Sequence, residues 1–166
     1  MPSTDIRHRL SPRARELVKG LLCHPVVGRL LGKVFRDRIP SWGCRINTSS
    51  YQVTPVTKAS LFWRVHERQE IRFLHRYLRE DLDVVELGGS LGVVSCQIRR
   101  KIGPDRTLVV VEADPELVPV AEENLATNAP GRVHVLNAAV AYETAEDLVH
   151  FAGGASTQSG ACLLYT

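Results

Sequence analysis

The chain has 166 residues, a formal net charge of +3 at pH 7, 44% hydrophobic residues and 23% charged ones. That balance excludes a disordered or fibrous chain, and the length suits one ordinary domain with its own core. No stretch approaches the roughly 18 apolar residues of a membrane span, and no apolar run follows Arg7, Arg9, Arg13 and Arg15 as it would in a secretory leader. The expected location is the cytoplasm, with the membrane surface as a peripheral alternative.

Cys23, Cys44, Cys96 and Cys162 are scattered, with no CxxC or Cys/His ligand spacing. The pattern predicts ordinary thiols and no metal site. Charge is uneven. Residues 1–50 carry ten Lys or Arg against Asp5, Glu16 and Asp37, and the rest of the chain is net acidic. A basic N-terminal face of this kind could meet an anionic surface, although a solvated helix face is the commoner outcome.

In chain order, apolar residues at three- and four-residue steps from Leu17 to Val34 predict helix over 12–38, broken near His24 by Pro25. Such a segment can lie on anionic lipid. More often its stripe packs on its own domain. Pro40 to Gly43 reads as a turn. Residues 45–48 and 51–54 read as short strands of a hairpin. A helix is predicted over 61–79, with one broad face from Trp63 to Leu78 and a second of Arg64, Arg68, Arg72, Arg76 and Arg79. From Asp83 the pattern alternates: strand 84–87, helix 91–102, strand 107–112, helix from Asp114 as N-cap with regular turns delayed by Pro119, and strand 133–136. The alternation predicts an α/β fold with a parallel sheet and right-handed crossovers. A further strand is expected within 148–152, a small polar loop over 153–160, and the start of a buried element at 162–165.

Ligands of an open parallel sheet sit outside the carboxyl ends of its strands. Glu86, Gly88, Gly89, Ser90, Gly92, Glu112 and Asn137 all fall there. Glycines let a ligand approach the backbone. A carboxylate at Glu86 can accept from an ammonium group, and Glu112 from a ribose diol, through charge-assisted bonds. Dinucleotide enzymes also place an acid after the second strand, but they need GxGxxG. Counting from Gly88, this chain has Ser90 and Val93 where that pattern wants glycine or alanine. An acid at Glu86 also suits a phosphate-free, amine-bearing ligand better than a pyrophosphate. His66, His75, His134 and His150 show no partner pattern that would mark a general base.

The ordered runs Glu86-Leu87-Gly88-Gly89-Ser90-Leu91-Gly92, Val110-Val111-Glu112-Ala113-Asp114-Pro115, Asn124 with Asn128, and Val135-Leu136-Asn137-Ala138-Ala139-Val140 resemble the successive motifs of S-adenosylmethionine-dependent methyltransferases, the FkbM type above all. The resemblance covers roughly residues 67–151. It implies a Rossmann-like class I methyltransferase sheet with a parallel β-α-β-α-β core. It also implies S-adenosyl-L-methionine as cofactor and O-methylation of a hydroxyl on a sugar, glycan or natural product. By the same resemblance, Glu86 and Gly88, Gly89, Ser90 and Gly92 hold the methionine part. Glu112 holds the ribose, Ala113 and Asp114 border the adenine, and Asn137 and Ala138 close its far side. The family has alanine and asparagine at the positions of Gly89 and Ser90, a departure between small residues.

The domains expected are a basic N-terminal helical extension with a short hairpin over 1–60 and a partial cofactor-binding domain over 61–166. The family sheet has seven strands, so this chain reads as incomplete at its C-terminus, completed by further sequence, a homo-oligomer or another chain. No catalytic base is identified, and no nucleic-acid partner is expected. The alternatives are a non-catalytic cofactor-binding module that needs a partner chain and, less favoured by the glycine spacing, a dinucleotide-dependent oxidoreductase.

Overall fold

A computed structural model gives the fold, describing residues 11–140 and the short strands β6 (His150–Ala152) and β7 (Cys162–Leu164), which pair antiparallel. The polar loop expected over 153–160 lies outside the described residues. Helix α1 (Pro12–Leu22) starts where the Ser11 hydroxyl accepts from the Ala14 amide and Pro12 occupies the first turn. The chain breaks at Cys23 and His24, as Pro25 requires. His24 then caps α2 (Pro25–Phe35), its Nδ1 accepting from the Val26 amide. This helix stops short of the expected residue 38. Arg36 and Asp37 both adopt positive φ, 48° and 57°, and turn the chain into a strand.

The hairpin exists, but one strand earlier than expected. Strands β1 (Arg38–Ser41) and β2 (Cys44–Asn47) pair antiparallel across Trp42 and Gly43. Both of these have positive φ, 49° and 77°, as a tight two-residue hairpin turn demands. Residues 51–54 form no strand. Thr54 instead caps α3 (Pro55–Phe62), its hydroxyl accepting from the Thr57 amide, with Pro55 at the first helical position. Capping chemistry outweighs the alternating pattern there. The helix expected over 61–79 is likewise two elements. Helix α4 (Arg68–Tyr77) begins after a break in which Arg64 and Glu67 take positive φ.

The parallel sheet runs β3 (Val84–Leu87), β4 (Leu108–Glu112), β5 (Val133–Asn137), in that order, with α5 (Val93–Lys101) and α6 (Val118–Asn128) as crossovers. Asp114 is not the cap of α6. It closes the preceding turn, accepting from the Glu116 amide on Oδ1 and from the Leu117 and Val118 amides on its carbonyl. Pro119 falls in the first turn of α6, where no amide is needed. Strands wound in sequence by right-handed crossovers place both helices on one face. Burial agrees: Leu108, Val110 and Glu112 are buried on that face, whereas Val85, Leu87 and Leu136 on the other are 64%, 58% and 48% exposed.

One hydrophobic cluster joins the hairpin to this unit: Ile39, Ile46, Leu61, Ile71, Leu91, Leu108 and Val110 all belong to it. Two asparagines one helical turn apart on α6 seal the outer edge of β2. Asn124 Oδ1 accepts from the Asn47 amide at 2.6 Å and Asn128 Oδ1 from the Arg45 amide at 2.7 Å. Their Nδ2 groups donate back to the Asn47 and Arg45 carbonyls. The helix thus satisfies an edge that a third strand would otherwise pair.

Candidate functional site

Strand β3 ends at Leu87 and the chain turns through Gly88, Gly89, Ser90 and Leu91 into α5. Gly88 (φ +86°), Ser90 (φ +47°) and Gly92 (φ +75°) are left-handed. The Gly88 and Gly89 amides both donate to the Val111 carbonyl, at 2.8 and 3.2 Å, which draws the turn onto the end of β4. A Cβ at Gly88 would meet nothing within 4 Å, so the turn faces open space there. A Cβ at Gly89 would lie 2.3 Å from Val110 Cγ1. The absence of a side chain at Gly89 is therefore matched to Val110 beneath it.

Glu86 lies under this turn. Its Oε2 is buried without a hydrogen-bond partner, and its carboxyl is pushed up to about 7. Desolvation is the main cause. The Glu67 and Glu112 charges add to it, and the Ser95 hydroxyl opposes it. Among the described residues five buried side-chain atoms lack a partner. Three of them, Glu67 Oε2, Glu86 Oε2 and Ser90 Oγ, belong to this neighbourhood. Buried polar groups are ordinarily satisfied. Acceptors and a hydroxyl left open together make a place for a donor-bearing, cationic group.

Glu112, at the end of β4, is 7% exposed and holds the turn from the other side. Oε2 accepts from the Ser90 amide at 2.6 Å and Oε1 from the Asp114 amide at 2.8 Å. A carboxylate has about four acceptor sites, so two remain. Asn137 Nδ2 donates to the Glu112 and Ala113 carbonyls, and the Ala138 amide donates to Glu112 as well. Asn137 and Ala138 thus fasten the end of β5 to the end of β4. Asp114 Oδ2 accepts from Gln52 Nε2 at 2.8 Å, which brings the segment before α3 against the same strand end.

The structure therefore brings all ten sequence-predicted residues to the carboxyl ends of three neighbouring strands. Sequence reading missed Glu67, Ser95 and Gln52. Glu67 read as one charge on a long helix, whereas it stands at the left-handed start of α4, its Oε1 3.4 Å from His66 Nε2. The break that places it had no glycine or proline to announce it.

A second perturbed pair, Cys44 and Cys96, lies on the hairpin side of α5, with Cys96 within reach of the Glu86 charge. Cys44 Sγ accepts from Gln97 Nε2 at 3.3 Å and Arg100 Nη1 at 3.4 Å. The neighbouring Cys96 thiol, with these donors, lowers Cys44 to about 6 against its burial, while the Cys96 thiol is raised. These contacts tie the hairpin to α5.

The sequence matches no family model and no curated protein.

Proposed function

We propose that this chain is the cofactor-binding part of an S-adenosylmethionine-dependent methyltransferase of the FkbM type, acting on a hydroxyl of a sugar, glycan or natural product. The observation that carries the reading is the Glu86 carboxyl, buried beside a glycine turn with one oxygen unsatisfied. A ligand ammonium would give that oxygen its donor and keep the group ionised. Gly88 leaves room for it, since even a Cβ there would touch nothing within 4 Å. The two acceptor sites left on Glu112 suit a ribose diol. Ala113, Asp114, Asn137 and Ala138 would border the base.

The cofactor supplies a methyl group already activated on a sulfonium. What remains for the protein is to hold the donor and to present the acceptor oxygen in line. Glu86 and Glu112 do the first. The acceptor side, including the base that takes the hydroxyl proton, is assigned to none of the residues named. The uncovered Val85, Leu87 and Leu136 favour a second reading, in which the site is a binding module that turns over only when another chain covers that face.

Calorimetric titration of S-adenosylhomocysteine into the wild-type chain and Glu86→Gln tests the proposal. Glu86 holds no backbone group, so its replacement leaves the turn's own hydrogen bonds in place. Saturable binding is expected in the wild type, weakened about ten- to a hundredfold in the variant. No saturable binding by a chain that melts cooperatively, or preferential binding of a nicotinamide dinucleotide, overturns it. Methyl transfer by the isolated chain separates the enzyme from the module.

A further inference from the structure

We propose that α1 and α2 form a docking surface for an anionic lipid bilayer. Helix α2 is apolar on two opposite sides. Gly28, Leu31, Gly32 and Phe35 face inward, with Gly28 so close to α3 that a Cβ would fall 1.6 Å from the Pro55 carbonyl oxygen. Val26, Leu30 and Val34, at four-residue steps, share the outer side and are 59%, 61% and 64% exposed. Helix α1 packs little on any other element, and its Leu17 and Leu21 are 75% and 73% exposed. Isolated exposed apolar residues need no explanation, but aligned rows on successive helices do.

Charge selects the occupant. On a helical projection Arg29 and Lys33 run along one border of the Val26–Leu30–Val34 row, and Arg13 borders Leu17 in the same way. Residues 11–36 contain six Lys or Arg and one acid, Glu16. Arg13, Lys19, Arg29, Lys33 and Arg36 make no ion pair among the described residues, whereas Arg38 and Lys58 nearby are paired with Glu123 and Asp37. Apolar rows bordered by free cations fit the boundary between acyl chains and anionic headgroups. A two-fold contact between copies would set these cations against one another, and dimer cores are depleted of charge. No helix among the described residues is long and apolar enough to cross a membrane, so the surface would lie in the interface plane.

The test is sedimentation of the whole chain with phosphatidylcholine vesicles and with vesicles of equal parts phosphatidylcholine and phosphatidylserine. Binding to the mixed vesicles is expected, weakening as salt rises, with little on phosphatidylcholine alone. Arg29→Gln and Lys33→Gln each lower the partition coefficient roughly fivefold. The double variant Leu30→Gln, Val34→Gln abolishes pelleting while its melting transition stays in place, because both side chains are exposed. Three results overturn the proposal: failure of the folded wild type to pellet with mixed vesicles, equal binding to both vesicle types, or pelleting that the double variant retains. Concentration-dependent dimerisation of the wild type that the same double variant removes assigns the rows to a second copy and overturns it too.

Discussion

The Ser90 amide donates to Glu112 Oε2 at 2.6 Å, so the acid at the end of the second parallel strand holds the glycine turn at the end of the first. The same carboxylate takes the Asp114 amide on its other oxygen. Glu112 is thus a strut between β3 and β4 as well as a candidate ribose ligand. Replacing it by alanine leaves two part-buried backbone donors without their acceptor. Hydrogen bonds to a charged group are worth about 1.5–3 kcal/mol each, and Ser90 is held at positive φ only with such support. Glu112→Ala is expected to lose about 3 kcal/mol in urea unfolding. Glu112→Gln, which keeps one acceptor oxygen, should lose less. An unchanged midpoint for the alanine variant would show that the strut is not needed. It follows that lost ligand binding in Glu112→Ala says little by itself, and that Glu86→Gln is the cleaner probe.

Glu86 makes stability fall with pH. Its folded-state pKa, about 7, lies above the ordinary 4.5. Between those values the folded chain holds a proton that the unfolded chain has lost, so stability decreases as pH rises from about 4.5 to about 7 and is level above. At 1.36 kcal/mol per unit the full effect is on the order of 3 kcal/mol. Glu86→Gln should remove this slope and be more stable than the wild type at pH 8, as urea titrations at several pH values would show. A ligand ammonium reverses the preference, because it needs the carboxylate. Affinity for S-adenosylhomocysteine should therefore drop about tenfold per unit below pH 7 in the wild type and much less in the variant. Parallel pH profiles in the two proteins would remove Glu86 from the site.

The alternation of the parallel unit was legible in the sequence because strand and helix there have different periods, and because Gly103-Pro104 and Pro130-Gly131 punctuate them. The strand end at Leu87 and the glycine turn after it followed directly. The N-terminal third was read less well. Its short strands compete with caps: Thr54 before Pro55 ended what looked like a strand, and the turn read at Pro40 to Gly43 is there, but the strand leading into it, Arg38–Ser41, reads in the sequence as helix end and turn. Left-handed Arg36, Arg64 and Glu67 were invisible, since none is a residue type that favours positive φ, and Asp37, which is one, fell inside the expected helix. The asparagines quoted for family resemblance, Asn124 and Asn128, are read in the structure as edge partners of β2, a long-range pairing that local pattern cannot reveal.

Two glycines in the first two helices predict opposite signs for one substitution. At Gly28 a Cβ would sit 1.6 Å from the Pro55 carbonyl oxygen and 2.4 Å from its carbon. Backbone cannot yield as a side chain can, so Gly28→Ala must push α2 off α3 and should cost about 3 kcal/mol or more. At Gly20 a Cβ would meet nothing within 4 Å, and the residue lies inside α1. Gly20→Ala should strengthen that helix by about 0.5–1 kcal/mol. Because α1 packs little on the rest, the gain should appear as added helical circular dichroism more than as a higher global midpoint. A Gly28→Ala protein that melts like the wild type would mean that α2 and α3 do not approach so closely.

Asn124 and Asn128 do the same job at different depths. Asn124 is fully buried, and its Nδ2 also donates to the Leu91 carbonyl at 2.8 Å, so one side chain ties β2, the start of α5 and α6 together. Truncation to alanine leaves the Asn47 amide and the Leu91 carbonyl unpaired in a dry place, at about 1–3 kcal/mol for each. Asn128 pairs with Arg45 near solvent, where water can replace it. Asn124→Ala is expected to lose about 3 kcal/mol or more and Asn128→Ala no more than about 1. Substitution by aspartate separates the roles further. Aspartate keeps the acceptor for the Asn47 amide but replaces the donor to Leu91 with a second acceptor, so a buried charge faces a carbonyl. Asn124→Asp should therefore be at least as harmful as Asn124→Ala, and the comparable exchange at Asn128 much milder. Urea midpoints for the four variants decide it. Equal losses at the two positions would mean that burial of the β2 edge does not set the difference.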